Sequence, residues 1–292
     1  MINYSYPLFR PPAEADNIII QATYGCSYNN CSFCSMYKSK KYTKRDIEDI
    51  YKEIDILSIS FPNTHKVFLA DGDALSLPTE YLVNILKYLK KSFPSLRRVS
   101  VYATAQNLLV KNDDELKLLY ENKLNLIYFG IETGSDVVLK KITKGVNSSE
   151  IIQSLNKASK ANIKISATVI LGIGGQNYSK EHIIKTANII NQTKVNYLST
   201  LQLGLEEDVK DKFYDNFRDF IMLDDVEVLE EQTEFIKLLS PTNKVIFRSN
   251  HASNALHLTG TLPKDKSKLL DELNRALESG QDAFVPQIFR GF

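Results

Sequence analysis

Tyr24-Gly25-Cys26-Ser27-Tyr28-Asn29-Asn30-Cys31-Ser32-Phe33-Cys34 holds every cysteine of this 292-residue chain. The spacing is Cys26-x4-Cys31-x2-Cys34. An odd count of three excludes a disulfide framework as the organising principle. Clustered thiolates bind soft or borderline metals, so zinc and iron–sulfur are the two candidates. A structural zinc site closes a tetrahedron with four protein ligands, and His65, His182, His251 and His257 all lie far from this loop. A plant-type [2Fe–2S] centre starts with the same x4, x2 spacing but needs a later fourth cysteine, which this chain lacks. Three thiolates leave an iron–sulfur cluster with one open iron, able to bind a substrate or cofactor. The bland alternative is a zinc knot or plain buried thiols.

Outward from the loop, strand-like and helix-like segments alternate. Residues 17–22, with three consecutive isoleucines, read as a strand. Ile47, Ile50, Ile54 and Leu57 then recur at helical spacing. Further strands are expected at 66–70, 99–104, 126–131, 165–171, 197–203 and 244–248. Helices are expected at 78–92, 113–122, 136–142, 150–161 and 180–192, through 210–239, and at 267–278. Repeated strand–helix units argue for a parallel sheet with helices outside. No Pro/Gly/Ser-rich linker interrupts them, so one barrel-like body over 1–248 and a C-terminal cap and helix over 249–292 are expected. In such folds the functional residues gather where strands end. Ala22–Cys34, Asp71–Asp73, Thr104–Asn107, Glu132–Ser135, Gly172–Gln176 and Leu203–Leu205 occupy those positions.

The composition is 43% hydrophobic and 24% charged with a net charge of +1, so no global field favours nucleic acid or an anionic membrane. Prolines and acids in the first sixteen residues exclude a secretory signal there, and no apolar run approaches the ~20 residues of a membrane span. Clustered thiols in such a chain point to a reducing, cytoplasmic setting.

The loop resembles the radical S-adenosylmethionine (radical SAM) enzymes, whose usual spacing is x3 then x2 with an aromatic before the third cysteine. Phe33 supplies the aromatic, and the first gap is one residue longer. Arg10-Pro11-Pro12, Gly130-Ile131-Glu132-Thr133-Gly134-Ser135 and Leu171-Gly172-Ile173-Gly174-Gly175 extend the likeness to the branch of the Elongator catalytic subunit and oxygen-independent coproporphyrinogen oxidase. The resemblance implies an α/β fold: a partial (β/α)6 TIM-like barrel of parallel strands with a short C-terminal extension. It implies a [4Fe–4S] cluster on Cys26, Cys31 and Cys34, with S-adenosyl-L-methionine (SAM) on the fourth iron through its amino and carboxylate groups. Phe33 would lie near the adenine. Asp71-Gly72-Asp73 stands where the family has Gly-Gly-Glu, the turn that receives the methionine amine. Glu132 would reach the ribose hydroxyls, Lys144 or its rival Lys141 the methionine carboxylate, and Gly172 and Gly174 the adenine.

Each of these residues has an ordinary reading as well. A glycine-rich turn is more often a tight strand exit, and aspartates are common turn formers. Tyr102, Gln106, Gln202 and His251 are substrate-side candidates by position, though a histidine there is more often structural. The basic run Lys38, Lys40, Lys41, Lys44 and Arg45 reads first as a solvated helix entry and second as a dock for an acidic donor such as ferredoxin or flavodoxin.

The implied chemistry is reductive cleavage of SAM to methionine and a 5′-deoxyadenosyl radical, which takes a hydrogen atom from a substrate, in an oxygen-sensitive site. The alternative is an iron–sulfur or zinc binding or electron-transfer protein without SAM chemistry. A methylthiotransferase is disfavoured, because no cysteines remain for a second cluster.

Overall fold

The computed structural model describes residues 2–291, which form two compact units. The first unit runs through Asn29 and adds Cys34–Phe129 and Lys157–Ile165; the second holds Asn30–Phe33, Gly130–Asn156 and the chain from Ser166 onward. The elements in chain order are β1 (Ile18–Gln21), β2 (Thr23–Tyr24), β3 (Thr43–Lys44), α1 (Ile47–Ser60), β4 (Lys66–Ala70), α2 (Thr79–Ser92), β5 (Arg98–Ala103), α3 (Ala105–Val110), α4 (Asp113–Glu121) and β6 (Leu124–Glu132). Then come α5 (Asp136–Lys141), α6 (Ser148–Lys160), β7 (Lys164–Leu171), α7 (Gly175–Gln192), β8 (Tyr197–Gln202), α8 (Glu207–Asn216), α9 (Asp225–Leu238), β9 (Val245–Ser249), β10 (Leu258–Leu262) and α10 (Lys266–Ser279).

In the first unit β1, β4, β5 and β6 lie side by side and parallel, in registers such as Ile20↔Leu69 and Val101↔Ile127. Ile19, Phe68 and Ala70 form a buried cluster there, with Tyr4, Leu8, Tyr102 and Tyr128 packed on it. In the second unit β7, β8 and β9 are parallel, Ala167↔Leu198 and Leu198↔Phe247 among their pairs. Its core joins Val138, Ile142, Ile170 and Ile173 to the phenylalanines Phe213, Phe217 and Phe220 of the α8 region, with Phe33 against them. The fold is therefore mixed α/β, with eight strands of a mostly parallel sheet.

Helix entries follow their side chains. Asp46 accepts from Glu48 N at the start of α1, and Asn112/Glu115 and Asp224/Glu227 form reciprocal capping boxes on α4 and α9. Thr104 accepts from Asn107 N and opens α3, a helix the apolar periodicity does not reveal. The expectation of parallel strands alone needs a correction. β10 pairs with β9 antiparallel (Gly260↔Phe247), so the segment after residue 249 begins by adding a strand to the sheet. Gly260 in its centre weakens the strand signal in sequence. A second correction concerns α7, which begins at Gly175 rather than at Lys180, because the glycine turn winds directly into the helix.

Candidate active site

The residues singled out at strand ends divide between the two units, and each group has its own geometry. In the first unit, β1 leads through β2 into the cysteine loop, and β4 delivers Asp71-Gly72-Asp73. Asp71 is fully buried. One of its oxygens accepts from Gln21 Nε2 at 3.0 Å; the other accepts from Gly25 N at 3.0 Å and Lys40 Nζ at 2.8 Å. The amide just before Cys26 is thus tied to a buried ion pair. Asp73, also fully buried, accepts from Ser27 Oγ on one oxygen and from Asn107 Nδ2 on the other. Ser27 directly follows Cys26, so the two aspartates hold the first cysteine from both sides. Further along the loop, Asn29 O accepts from Lys38 Nζ at 2.7 Å, and Asn29 Nδ2 donates to Tyr37 O at 2.8 Å.

Gly72 is needed for space: a Cβ there would stand 2.3 Å from Tyr37 Cε2. Tyr37 is buried, and among the described residues its hydroxyl has no hydrogen-bond partner. Burial pushes its phenol far above the ordinary range, with Tyr102, Asp71, Cys26 and Cys34 adding to the effect. Tyr102 meets Phe68 edge-on, with ring centroids 5.1 Å apart. Burial raises its phenol as well, and the Cys34 and Glu14 charges reinforce the shift. Gln106 sits in the first turn of α3, beside the Asn107 that holds Asp73.

The basic run is a solvated helix entry only in part. Lys41 and Lys44 are exposed, Lys44 lying 4.8 Å from the Tyr81 ring centroid. Arg45 makes a bidentate ion pair with Glu53 at 2.7 Å and Lys40 is paired with the buried Asp71. Folding turns these two cations inward because each meets a carboxylate brought from elsewhere in the unit.

In the second unit, Glu132 ends β6 with a left-handed backbone, φ +61°, a conformation that costs about 1 kcal/mol or more for a residue with a side chain. Its carboxylate accepts from Lys144 Nζ at 2.8 Å, and the same ammonium lies 5.9 Å from the Phe33 ring centroid. Gly130 makes room for this pair; a Cβ there would fall 1.9 Å from Glu132 Oε1 and 3.1 Å from Lys144 Nζ. Thr143, just before Lys144, is also left-handed at φ +50°, and its hydroxyl donates to Asn30 O at 2.7 Å. Ser32 N donates to Ile142 O at 3.0 Å, while the buried Ser32 hydroxyl has no partner. Lys141, the rival cation, is committed to Asp219 at 2.6 Å and to the faces of Phe217 and Tyr178.

Gly172 adopts φ +78° directly after β7, so its lack of a side chain answers a backbone need, whereas Gly174 answers a steric one, with Tyr178 backbone and His182 Cβ at 3.0 and 3.2 Å. Two substrate-side candidates are already engaged. Gln202 donates to Asp225 and accepts from Ala255 N, and Asp225 is held bidentately by Arg290. His251 Nδ1 accepts from Ser253 N at 3.2 Å, which places the proton of the neutral ring on Nε2; burial lowers its pKa. Sequence reasoning missed Glu231, and it named Lys40 and Asn107 without their roles, because the partners of all three lie 31 to 59 residues away.

The three cysteines are half-buried and form no disulfide. Three soft donors on one short loop have the chemistry of an iron–sulfur ligand set, while among the described residues no three His, Cys, Asp or Glu side chains are gathered closely enough to hold a metal ion. A buried Tyr37 hydroxyl that feels Cys26 and Cys34 suits a group that brings acceptor atoms. Residues 20–187, more than half of the chain, match the radical SAM superfamily, and the chain belongs to it. A Methanocaldococcus jannaschii protein bearing a methylthiotransferase name is 25% identical over 184 residues, which are 58% of this chain and 39% of that protein. The heme chaperone HemW of Buchnera aphidicola is 23% identical over 186 residues, 60% of this chain and 48% of that one. This chain thus spans about half or less of the length of these relatives. Among solved structures, coproporphyrinogen III oxidase (HemN) from Escherichia coli aligns with a TM-score of 0.56 at 15% identity, covering 76% of this chain and 51% of that one. The fold is that of the superfamily's partial barrel. No helix among the described residues is long and apolar enough to cross a membrane.

Proposed function

We propose that this chain is a radical SAM enzyme that abstracts a hydrogen atom from a bound organic substrate, drawing its electron from a low-potential donor of the ferredoxin or flavodoxin kind. The observation that carries the reading is the cysteine loop: three thiols outside any disulfide, with the flanks of Cys26 fixed by two buried carboxylates. A [4Fe–4S] cluster on Cys26, Cys31 and Cys34 would supply one-electron reductive cleavage of the SAM C5′–S bond. The protein's part is to bind, orient and exclude water. Asp73 is a candidate acceptor for a cationic methionine amine, with Ser27 and Asn107 donating to its two oxygens, whereas Asp71 already faces the Lys40 ammonium. Glu132 is held in a strained conformation that aims a carboxylate acceptor for ribose hydroxyls. Lys144 shares that carboxylate and is the cation for the methionine carboxylate, since Lys141 is occupied by Asp219. Phe33, Gly172 and Gly174 would frame the adenine, and Tyr102 and Gln106 stand on the substrate side.

Anaerobic reconstitution followed by assay for 5′-deoxyadenosine with a strong reductant tests the proposal. The expected result is four irons per chain and 5′-deoxyadenosine formation, with both lost in Cys31→Ala while the circular dichroism of the fold is kept. A full cluster that yields no 5′-deoxyadenosine, or a closed four-ligand zinc site, would overturn it.

A further inference from the structure

The turn after β7 has a partner that no strand-end position reveals. Gly172 N donates to Glu231 Oε1 at 2.6 Å. Glu231 stands on α9, is 4% exposed, and its second oxygen accepts from Ser179 Oγ at 2.5 Å. Beside it, on α7, the fully buried His182 brings Nε2 to 3.8 Å from Glu231 Oε1, too far for a hydrogen bond, and among the described residues that nitrogen has no hydrogen-bond partner. His182 Nδ1 pairs with Thr133 Oγ1 at 2.8 Å, and Thr186 Oγ1 accepts from Gly134 N at 2.8 Å. Two neighbouring buried polar groups therefore brace two turns: His182 and Thr186 the one following Glu132, and Glu231 the one opening at Gly172.

The chemistry of this chain is unusual because nothing offsets the charge. Burial drives His182 down to about 3, so the ring is neutral and supplies no counter-ion. Burial raises Glu231 to about 7, opposed by its bonds from Ser179 and Gly172. Among the described residues of α7, α9 and α10, no lysine, arginine or second acid pairs with Glu231. A glutamine would accept from Gly172 and donate to Ser179 without a buried charge.

We propose that Glu231 is a positioning residue for SAM: its carboxylate fixes the Gly172 amide, and its protonation state sets how firmly the Gly172–Gly175 turn holds the nucleoside. This rests on the radical SAM reading above. As an anion, Glu231 offers acceptors to both Gly172 and Ser179. Once protonated, it loses the charge assistance on the Gly172 bond.

The test uses cluster-loaded protein and SAM itself, with the dissociation constant measured from pH 6 to 8. Amide hydrogen exchange over 172–175 is followed in parallel without SAM. In the wild type SAM should tighten about threefold as pH rises across this range, the effect of charge assistance on one hydrogen bond. Glu231→Gln should keep amide protection and show a flat pH profile. Glu231→Leu should weaken SAM about tenfold and speed exchange at 172–175 by a similar factor, as expected for a lost charged acceptor. Ser179→Ala removes one bond to the anion and should move the wild-type midpoint to higher pH; it serves as the folded control if the leucine variant fails to fold. Unchanged exchange in Glu231→Leu, or identical pH profiles for wild type and Glu231→Gln, would overturn the proposal. If no protein binds SAM while exchange still accelerates in Glu231→Leu, the clamp on the turn stands and the radical SAM reading falls.

Discussion

Asp71 and Glu231 are both carboxylates sealed from water beside strand-end turns, one in each unit, and they are stabilised in opposite ways. Asp71 has a cation, Lys40 at 2.8 Å, together with donors from Gln21 and Gly25. Glu231 has only neutral donors and faces a histidine that burial keeps neutral. A buried acid with a matched cation is a structural fastener. Burial raises the acid without one to about 7. The first unit therefore ties the amide before Cys26 to a matched ion pair, and the second holds its glycine turn through a carboxylate with neutral donors.

The largest test of this contrast is Asp71→Ala, which leaves the Lys40 ammonium buried and unpaired. It should lose about 3–5 kcal/mol in urea denaturation, the usual cost of breaking a buried pair from one side, and iron incorporation should fall with it. Stability retained within error would mean Lys40 finds another partner and the fastener is dispensable.

Glu231→Gln should do the reverse. A carboxyl whose folded pKa is raised favours folding when protonated, and that contribution is lost as pH rises through about 7. At pH 8 the glutamine variant should therefore be more stable than wild type by on the order of 2 kcal/mol, with the two converging near pH 5. Parallel stability curves from pH 5 to 8 would show that Glu231 does not titrate in this window.

Glu132→Gln comes next, because it removes a charge shared between the Lys144 ion pair and the proposed ligand. SAM affinity should fall about tenfold, ~1.4 kcal/mol, as calorimetry on cluster-loaded protein would show, and urea unfolding should register the lost ion pair. The smallest effect belongs to Gly172→Ala. Its φ of +78° disfavours a side chain, yet the nearest atom to an added Cβ is Val228 Cγ2 at 3.7 Å. A loss of about 1 kcal/mol in thermal or urea unfolding is expected, and a larger one would reveal a steric need the open space does not suggest.

Most of the strand–helix alternation was legible because apolar runs such as Ile18–Ile20 and Val67–Ala70 are buried as parallel strands and read as near-continuous hydrophobic segments. β10 was not, since Thr259, Gly260 and Thr261 carry little apolar signal and the strand forms by pairing with β9. The short α3 is announced by a cap rather than by periodicity. Among site residues, the cysteines and the glycine turns follow from local spacing and backbone geometry. The identity of their braces does not, because Lys40 reaches Asp71 and Glu231 reaches Gly172 only after the chain has folded. The basic run divides for the same reason: Lys41 and Lys44 are exposed, while tertiary partners turn Lys40 and Arg45 inward.

The first gap of the cysteine loop is one residue longer than in its relatives by resemblance, and Asn29 lies within it at φ +42°, its side chain on Tyr37 O and its carbonyl under Lys38. A residue stored in a left-handed kink changes the loop's length without disturbing Gly25 or Ser27, where the flanks of Cys26 are held. A pattern written with three spacers would therefore pass over a chain built like this one, and shortening the loop at Asn29 would have to replace the ties to Tyr37 and Lys38 that close it.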